Sequence, residues 1–132
     1  MNQNTINIDK EVIISAIEQI LYKGGKSNFL IFNLDSDYFI QMAAGRGDYE
    51  IYCEAISDNY LEEDKRLTKE QKGILRSLLW NDPKSSEDNY YIKYKVNSEL
   101  SRIRLAELIL KTANQVYNCE RIDIENIILN LE

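Results

Sequence analysis

The chain has 132 residues, 44% of them apolar and 29% charged, which is enough for one domain with a core of its own and ordinary for a globular protein. It contains no histidine, so Ser-His and Cys-His nucleophilic pairs and His-containing zinc sites are excluded. The net charge of -6 arises entirely within residues 1–66, which argues against sequence-independent nucleic-acid binding and suits either a solvated surface or a basic partner.

The segment from Met1 to Asp9 is polar and lacks the charged-then-apolar layout of a signal peptide. No apolar run approaches the ~18 residues of a membrane span, so cytoplasmic residence is expected. Cys53 and Cys119 form no CxxC pair and read as two buried free thiols, a disulfide being the alternative.

Residues 9–23 are expected to be helical, with Asp9 as cap and Val12, Ile13, Ala16, Ile17, Ile20 and Leu21 on one face; Gly24-Gly25 ends the helix. Residues 28–34 are apolar on both faces and read as a strand covered on both sides. Asp35-Ser36-Asp37 is turn chemistry, residues 38–43 the next strand, and Gly45-Arg46-Gly47-Asp48 a hairpin turn. Residues 49–57 alternate cleanly, with Ile51, Cys53 and Ala55 on one side and Glu50, Tyr52 and Glu54 on the other.

After an acidic loop, Thr68 and Gln71 form a capping box for a helix whose buried face is Ile74, Leu75, Leu78 and Leu79. Trp80 lies at its end, before Pro83, and is expected to pack between helix and sheet with its indole N–H bonded. Residues 89–96 form another strand, with Tyr91 on its polar face. Asn97 or Ser98 caps a long helix running to about Tyr117. The apolar arc of that helix, which includes Ile103, Leu105, Ile109, Leu110 and Val116, is too wide for one sheet face and calls for a second contact. In the tail, Ile124, Ile127, Ile128 and Leu131 at helical spacing predict a short final helix, with a strand from Arg121 as the alternative. The order α-β-β-β-α-β-α plus a short C-terminal helix defines an α+β domain, an antiparallel sheet with flanking helices. It spans residues 1–132, with a core over 9–117 and an extension over 118–132.

Catalytic and metal readings are weak. Gly45-Arg46-Gly47 lacks the third glycine and following helix of a phosphate loop. Asp35-Ser36-Asp37 and Glu62-Glu63-Asp64 lack calcium-loop spacing, and Glu50 with Glu54 alternates outward on a surface strand. No cofactor and no metal are expected. Phe39, Gln41, Tyr52, Glu54 and Tyr91 are the candidate binding residues: aromatic and polar groups opposite the buried strand faces either form a binding surface or lie beneath a helix as core.

Four pieces recur in an order that resembles a known family: Tyr38-Phe39-Ile40-Gln41, Glu54-Ala55-Ile56-Ser57, Leu78-Leu79-Trp80-Asn81-Asp82-Pro83 and Asn89-Tyr90. From about Phe29 to Tyr117 the chain is similar to the TY-Chap domains, the type III secretion chaperone and YbjN-like peptide-binding group. It departs at Leu79, where that family usually has glycine. The resemblance implies a non-enzymatic domain that binds an extended or partly unfolded segment of a client or effector, by strand addition or an aromatic grip. The charge distribution and the lack of a long apolar run predict neither nucleic acid nor a membrane as partner. It also implies a homodimer, with Ile103, Leu105, Ile109, Leu110 and Val116 as the dimer or partner face. An immunity or antitoxin protein, its acidic face covering a toxin, is the alternative.

Overall fold

The structure is a computed structural model that describes residues 3–34 and 37–132, with side chains from Asp9 onward. Strands β1 (Asn28–Asn33), β2 (Phe39–Ala44), β3 (Glu50–Ala55), β4 (Tyr90–Lys95) and β5 (Ile127–Asn130) form one sheet in the order β4-β3-β2-β1-β5. Every pairing is antiparallel. Helices α1 (Gln3–Tyr22) and α3 (Glu99–Gln115) pack against each other over one face of the sheet, and α2 (Lys69–Ser77) packs on α3. This is the expected α+β architecture.

Period-two alternation sorts the strands. Leu30, Phe32, Ile40, Met42, Ile51, Cys53, Ala55, Tyr90 and Ile92 turn to the helices and are buried. Their neighbours Phe29, Ile31, Gln41, Ala43, Tyr52, Glu54, Tyr91 and Lys93 occupy the other face, which none of the three helices covers. β1 is therefore buried on one side only, contrary to the two-sided cover that its composition predicts. Its outward apolar residues remain partly exposed.

Local sequence signals explain most boundaries. The expected capping box forms at α2, Thr68 with Gln71; at α3 the cap is Ser98 rather than Asn97, and it makes a second box with Ser101. At the hairpin, Gly47 adopts φ +86 and the Asp48 carboxylate accepts from the Gly45 N–H at 2.7 Å. The acidic loop holds two 3-10 turns, Asp58–Tyr60 and Glu63–Lys65.

Three expectations are corrected. α1 starts well before Asp9, which is not a cap: its buried carboxylate accepts from the Ile122 N–H (3.3 Å) and from Arg121 (3.5 Å), tying the C-terminal segment to the helix. Leu79 is not on the buried face of α2. It is 79% exposed, with Leu75 as the buried residue of that helix. The final element is a single 3-10 turn (Ile124–Asn126) followed by strand β5, not a helix, because β1 offers an open edge that Ile127–Asn130 pairs with.

The wide arc of α3 is consumed within the chain. Leu105, Ile109 and Val116 are fully buried, because α3 lies between the sheet and its neighbours α1 and α2. Two ion pairs, Arg102 with Glu18 at 3.8 Å and Lys10 with Glu107 at 3.7 Å, flank the α1–α3 seam. The second contact is thus α1 of the same chain. Of the five residues expected at a dimer face, only Ile103 and Leu110 retain exposed surface.

Candidate functional site

The uncovered sheet face carries two cross-strand rows. One runs Ile128, Ile31, Gln41, Glu54, Tyr91 across all five strands; the other runs Asn130, Phe29, Ala43, Tyr52, Lys93. Register alone places them side by side, since opposite residues stand ~5 Å apart on a shared face. Tyr52 and Tyr91, diagonal neighbours on β3 and β4, stack with ring centroids 6.2 Å apart and planes inclined by 20°. The ammonium group of Lys84 lies 4.7 Å from the Tyr91 ring centroid. Gln41 Nε2 donates to Glu54 Oε1 at 3.1 Å, fixing the two polar groups in the middle of the face. Phe29, Ile31, Gln41, Ala43, Tyr52 and Glu54 border a shallow depression of ≈ 320 Å³.

The electrostatics are mild. Burial, then the negative charge of Glu54, raises the Tyr52 phenol above its ordinary range, so it remains a neutral hydroxyl. Phe29 and Tyr52 are each 37% exposed, and the face offers flat aromatic surface with a few fixed hydrogen-bonding groups.

All five predicted binding residues, Phe39, Gln41, Tyr52, Glu54 and Tyr91, share this face. Phe39 stands at its edge opposite Asn33 and is half-buried. Phe29, Ile31 and Lys84 were not singled out from sequence. The two-sided apolar character of residues 28–34 was the available signal for the first two, and nothing local marks Lys84. Of the acidic motifs, Asp35 and Ser36 lie outside the described residues, and Asp37 is committed to Lys65 at 2.6 Å. No cluster of three or more potential metal ligands occurs among the described residues.

Three of the four short motifs are joined by hydrogen bonds, and the third in chain order is tied to α3. Gln41 of the first motif bonds Glu54 of the second. Ser57, closing the second, donates its N–H to the buried Asn89 side chain of the fourth at 2.9 Å, and its hydroxyl to Asp88 O at 2.8 Å. Trp80, only 3% exposed, donates its indole N–H to Thr112 on α3 at 3.0 Å. Leu79, in the position where glycine is usual, adopts φ +75. The Leu79 N–H bonds Arg76 O and the Trp80 N–H bonds Leu75 O, the paired pattern of a Schellman C-cap.

Compared with protein families, residues 15–122 match the family described as T3SS (YopN, CesT) and YbjN peptide-binding chaperone 3, TY-Chap3. The chain belongs to the TY-Chap3 family. No curated protein and no solved structure matches it. As a TY-Chap3 domain it is a protein-binding chaperone domain and not an enzyme. The matched region holds β1 to β4, α2, α3 and the last part of α1, from Ser15 to Tyr22, while β5 of this TY-Chap3 domain lies beyond it. No helix among the described residues is long and apolar enough to cross a membrane.

Proposed function

We propose that this domain holds an extended segment of a client or effector protein against the uncovered face of its sheet, gripping it between Phe29 and the Tyr52–Tyr91 stack. The supporting observation is that stack itself: two aromatic rings on a sheet face that carries no helix, beside further partly exposed apolar residues of β1 and β5. Such a contiguous patch costs free energy in water and is expected where a partner covers it. Gln41, Glu54 and Lys93 supply hydrogen-bonding groups around the aromatics, which suits a peptide carrying its own polar backbone.

The reading requires no second copy. A homodimer built on α3 would have to use Leu100, Ile103, Leu108 and Leu110, which keep exposed surface, since the remaining arc is core. Cytoplasmic residence belongs to the same reading. Neutralisation of a toxin is the second reading. It is supported by the exposed Glu62, Glu63 and Asp64, which form no ion pair among the described residues and would face a basic site.

The test is affinity capture of partners from the native host by the wild-type chain and by Tyr52→Ala and Tyr91→Ala. A partner held by the sheet face binds each variant at least tenfold more weakly while both variants keep the wild-type melting temperature. A partner whose binding survives both changes but is lost on Glu62→Lys with Glu63→Lys favours the toxin reading.

A further inference from the structure

The two edges of the sheet are finished differently. At the β4 edge, Tyr91 exchanges both backbone hydrogen bonds with Asn81, at 2.9 and 3.1 Å, and Lys93 and Lys95 follow along the strand. A short bridge and edge lysines are the usual means of keeping another strand away. β5 has neither: its sequence is Ile127-Ile128-Leu129-Asn130, without lysine or proline, and no backbone pairing on its outer side occurs among the described residues.

Register shows which groups face outward. Leu34 N–H bonds Tyr38 O, so in the antiparallel β1–β2 ladder Leu30 and Phe32 direct their backbone groups to β2, and Phe29 and Ile31 direct theirs to β5. Ile128 and Asn130 therefore pair inward with β1. Ile127 and Leu129 direct their backbone groups away from β1. The Ile127 N–H turns back to Ile124 O, which leaves the Ile127 carbonyl and both backbone groups of Leu129 as the outward row.

Directly beside this row runs a mostly apolar groove of ≈ 380 Å³ between α1 and β5, bordered by Glu11, Val12, Ala16, Ile124, Ile127 and Leu129. Ile124 is 73% exposed. The charge at its rim is negative: Lys10 is engaged with Glu107 and Arg121 with Asp9 and Asp123, whereas Glu11, and Glu125 next to Ile124, form no ion pair among the described residues.

We propose that the β5 edge and the α1 groove together form a strand-addition site for an extended segment of another protein, one that places apolar side chains at alternate positions and a lysine or arginine in phase with them. The incoming backbone pairs with Leu129 and the Ile127 carbonyl. Its alternate side chains enter the groove between β5 and α1, and the cation meets Glu11. The proposal rests on the reading of the chain as a holder of extended segments, but not on the uncovered sheet face being where it holds them.

The test uses the full chain and a fluorescein-labelled peptide Thr-Val-Thr-Val-Thr-Lys-Thr, in which the valines and the lysine share one face. The comparators are a peptide of the same composition with adjacent valines and one with glutamate in place of lysine. The in-phase peptide is expected to bind at least tenfold more tightly than either comparator and to slow amide exchange at Leu129. Glu11→Lys should weaken it at least fivefold and invert the preference toward the glutamate peptide. Leu129→Pro, which removes an outward N–H, should weaken it at least tenfold, and Tyr52→Ala should change it by less than twofold.

Equal binding of the in-phase and adjacent-valine peptides overturns the proposal. So does loss of binding on Tyr52→Ala with none on Glu11→Lys, a result that leaves the proposed function standing on the sheet face. Protection of the Leu129 amide that rises with protein concentration in the absence of peptide also overturns it, by making the edge a contact between copies of this chain.

Discussion

The indole N–H of Trp80, at the end of α2, donates to the hydroxyl of Thr112 in the middle of α3 at 3.0 Å, and that hydroxyl donates in turn to Leu108 O at 2.8 Å. The bond lies in the core and fixes α2 on α3. Trp80→Ala should therefore cost about 3–5 kcal/mol in denaturant unfolding. Thr112→Val, which strands a buried donor with little change of volume, should cost about 1–2 kcal/mol. The double change Trp80→Phe with Thr112→Val should cost less than the sum of the single changes. A Trp80→Ala cost under about 1 kcal/mol accompanied by lost client binding would make Trp80 an interface anchor instead.

Leu79 holds a left-handed backbone that disfavours side chains with a Cβ, and its own side chain is exposed. Leu79→Gly should raise unfolding stability by about 1 kcal/mol, and Leu79→Ala should leave it nearly unchanged because alanine keeps the same strain. Thermal melts of the two variants beside wild type decide this. An alanine variant as stable as the glycine variant would remove backbone strain as the explanation.

Asn28 joins three parts of the chain. Its amide nitrogen donates to Ile20 O and Lys23 O, both at 2.8 Å, satisfying the end of α1. Its amide oxygen accepts from the N–H of Gly25 at 3.1 Å and of Glu132 at 3.0 Å. Gly24, at φ +70, leaves room for that side chain, since an added Cβ would meet Asn28 Oδ1 at 2.1 Å. Asn28→Ala should cost on the order of 3 kcal/mol, and hydrogen exchange should accelerate across β5 more than across β3. Uniform acceleration would show that Asn28 does not tether β5 in particular.

The Tyr117 hydroxyl is buried and donates to Ile56 O at 2.8 Å, and burial raises its pKa far above the ordinary tyrosine range. The sign follows directly. Below about pH 10 the hydroxyl is protonated in both folded and unfolded chains and its contribution is complete. Above that, the unfolded chain ionises while the folded chain does not, so stability falls as pH rises. Tyr117→Phe should destabilise the protein by about 1–2 kcal/mol at pH 7 and flatten the decline between about pH 10 and 12. Denaturant titrations at those pH values measure it, and an unaltered slope would place the alkaline sensitivity elsewhere.

The middle of the fold was legible because its signals are local. Alternation in Glu50–Ala55 and Tyr90–Lys95, the Thr68–Gln71 capping box and the Gly45–Asp48 turn each state their own geometry. The ends were not. Ile124, Ile127, Ile128 and Leu131 satisfy a helical period as well as a strand, and only the free edge of β1, almost a hundred residues earlier, decides between them. The second contact of α3 was legible as a need, but its identity as α1 depends on tertiary packing. The candidate binding residues were recognisable as outward-facing. That no helix covers them, and that Tyr52 stacks on Tyr91, follows from a topology that places all three helices on one side.

The central claim is that a client segment lies on the uncovered sheet face. Amide and side-chain shift mapping of the isotope-labelled chain, titrated with overlapping peptides from a partner captured in the native host, tests it most directly. The account predicts saturable shifts centred on Phe29, Gln41, Tyr52, Glu54 and Tyr91, with the aromatic signals of Tyr52 and Tyr91 moving most. Saturable binding whose shifts fall on the outer surfaces of α2 and α3 and leave those five residues unmoved would contradict it.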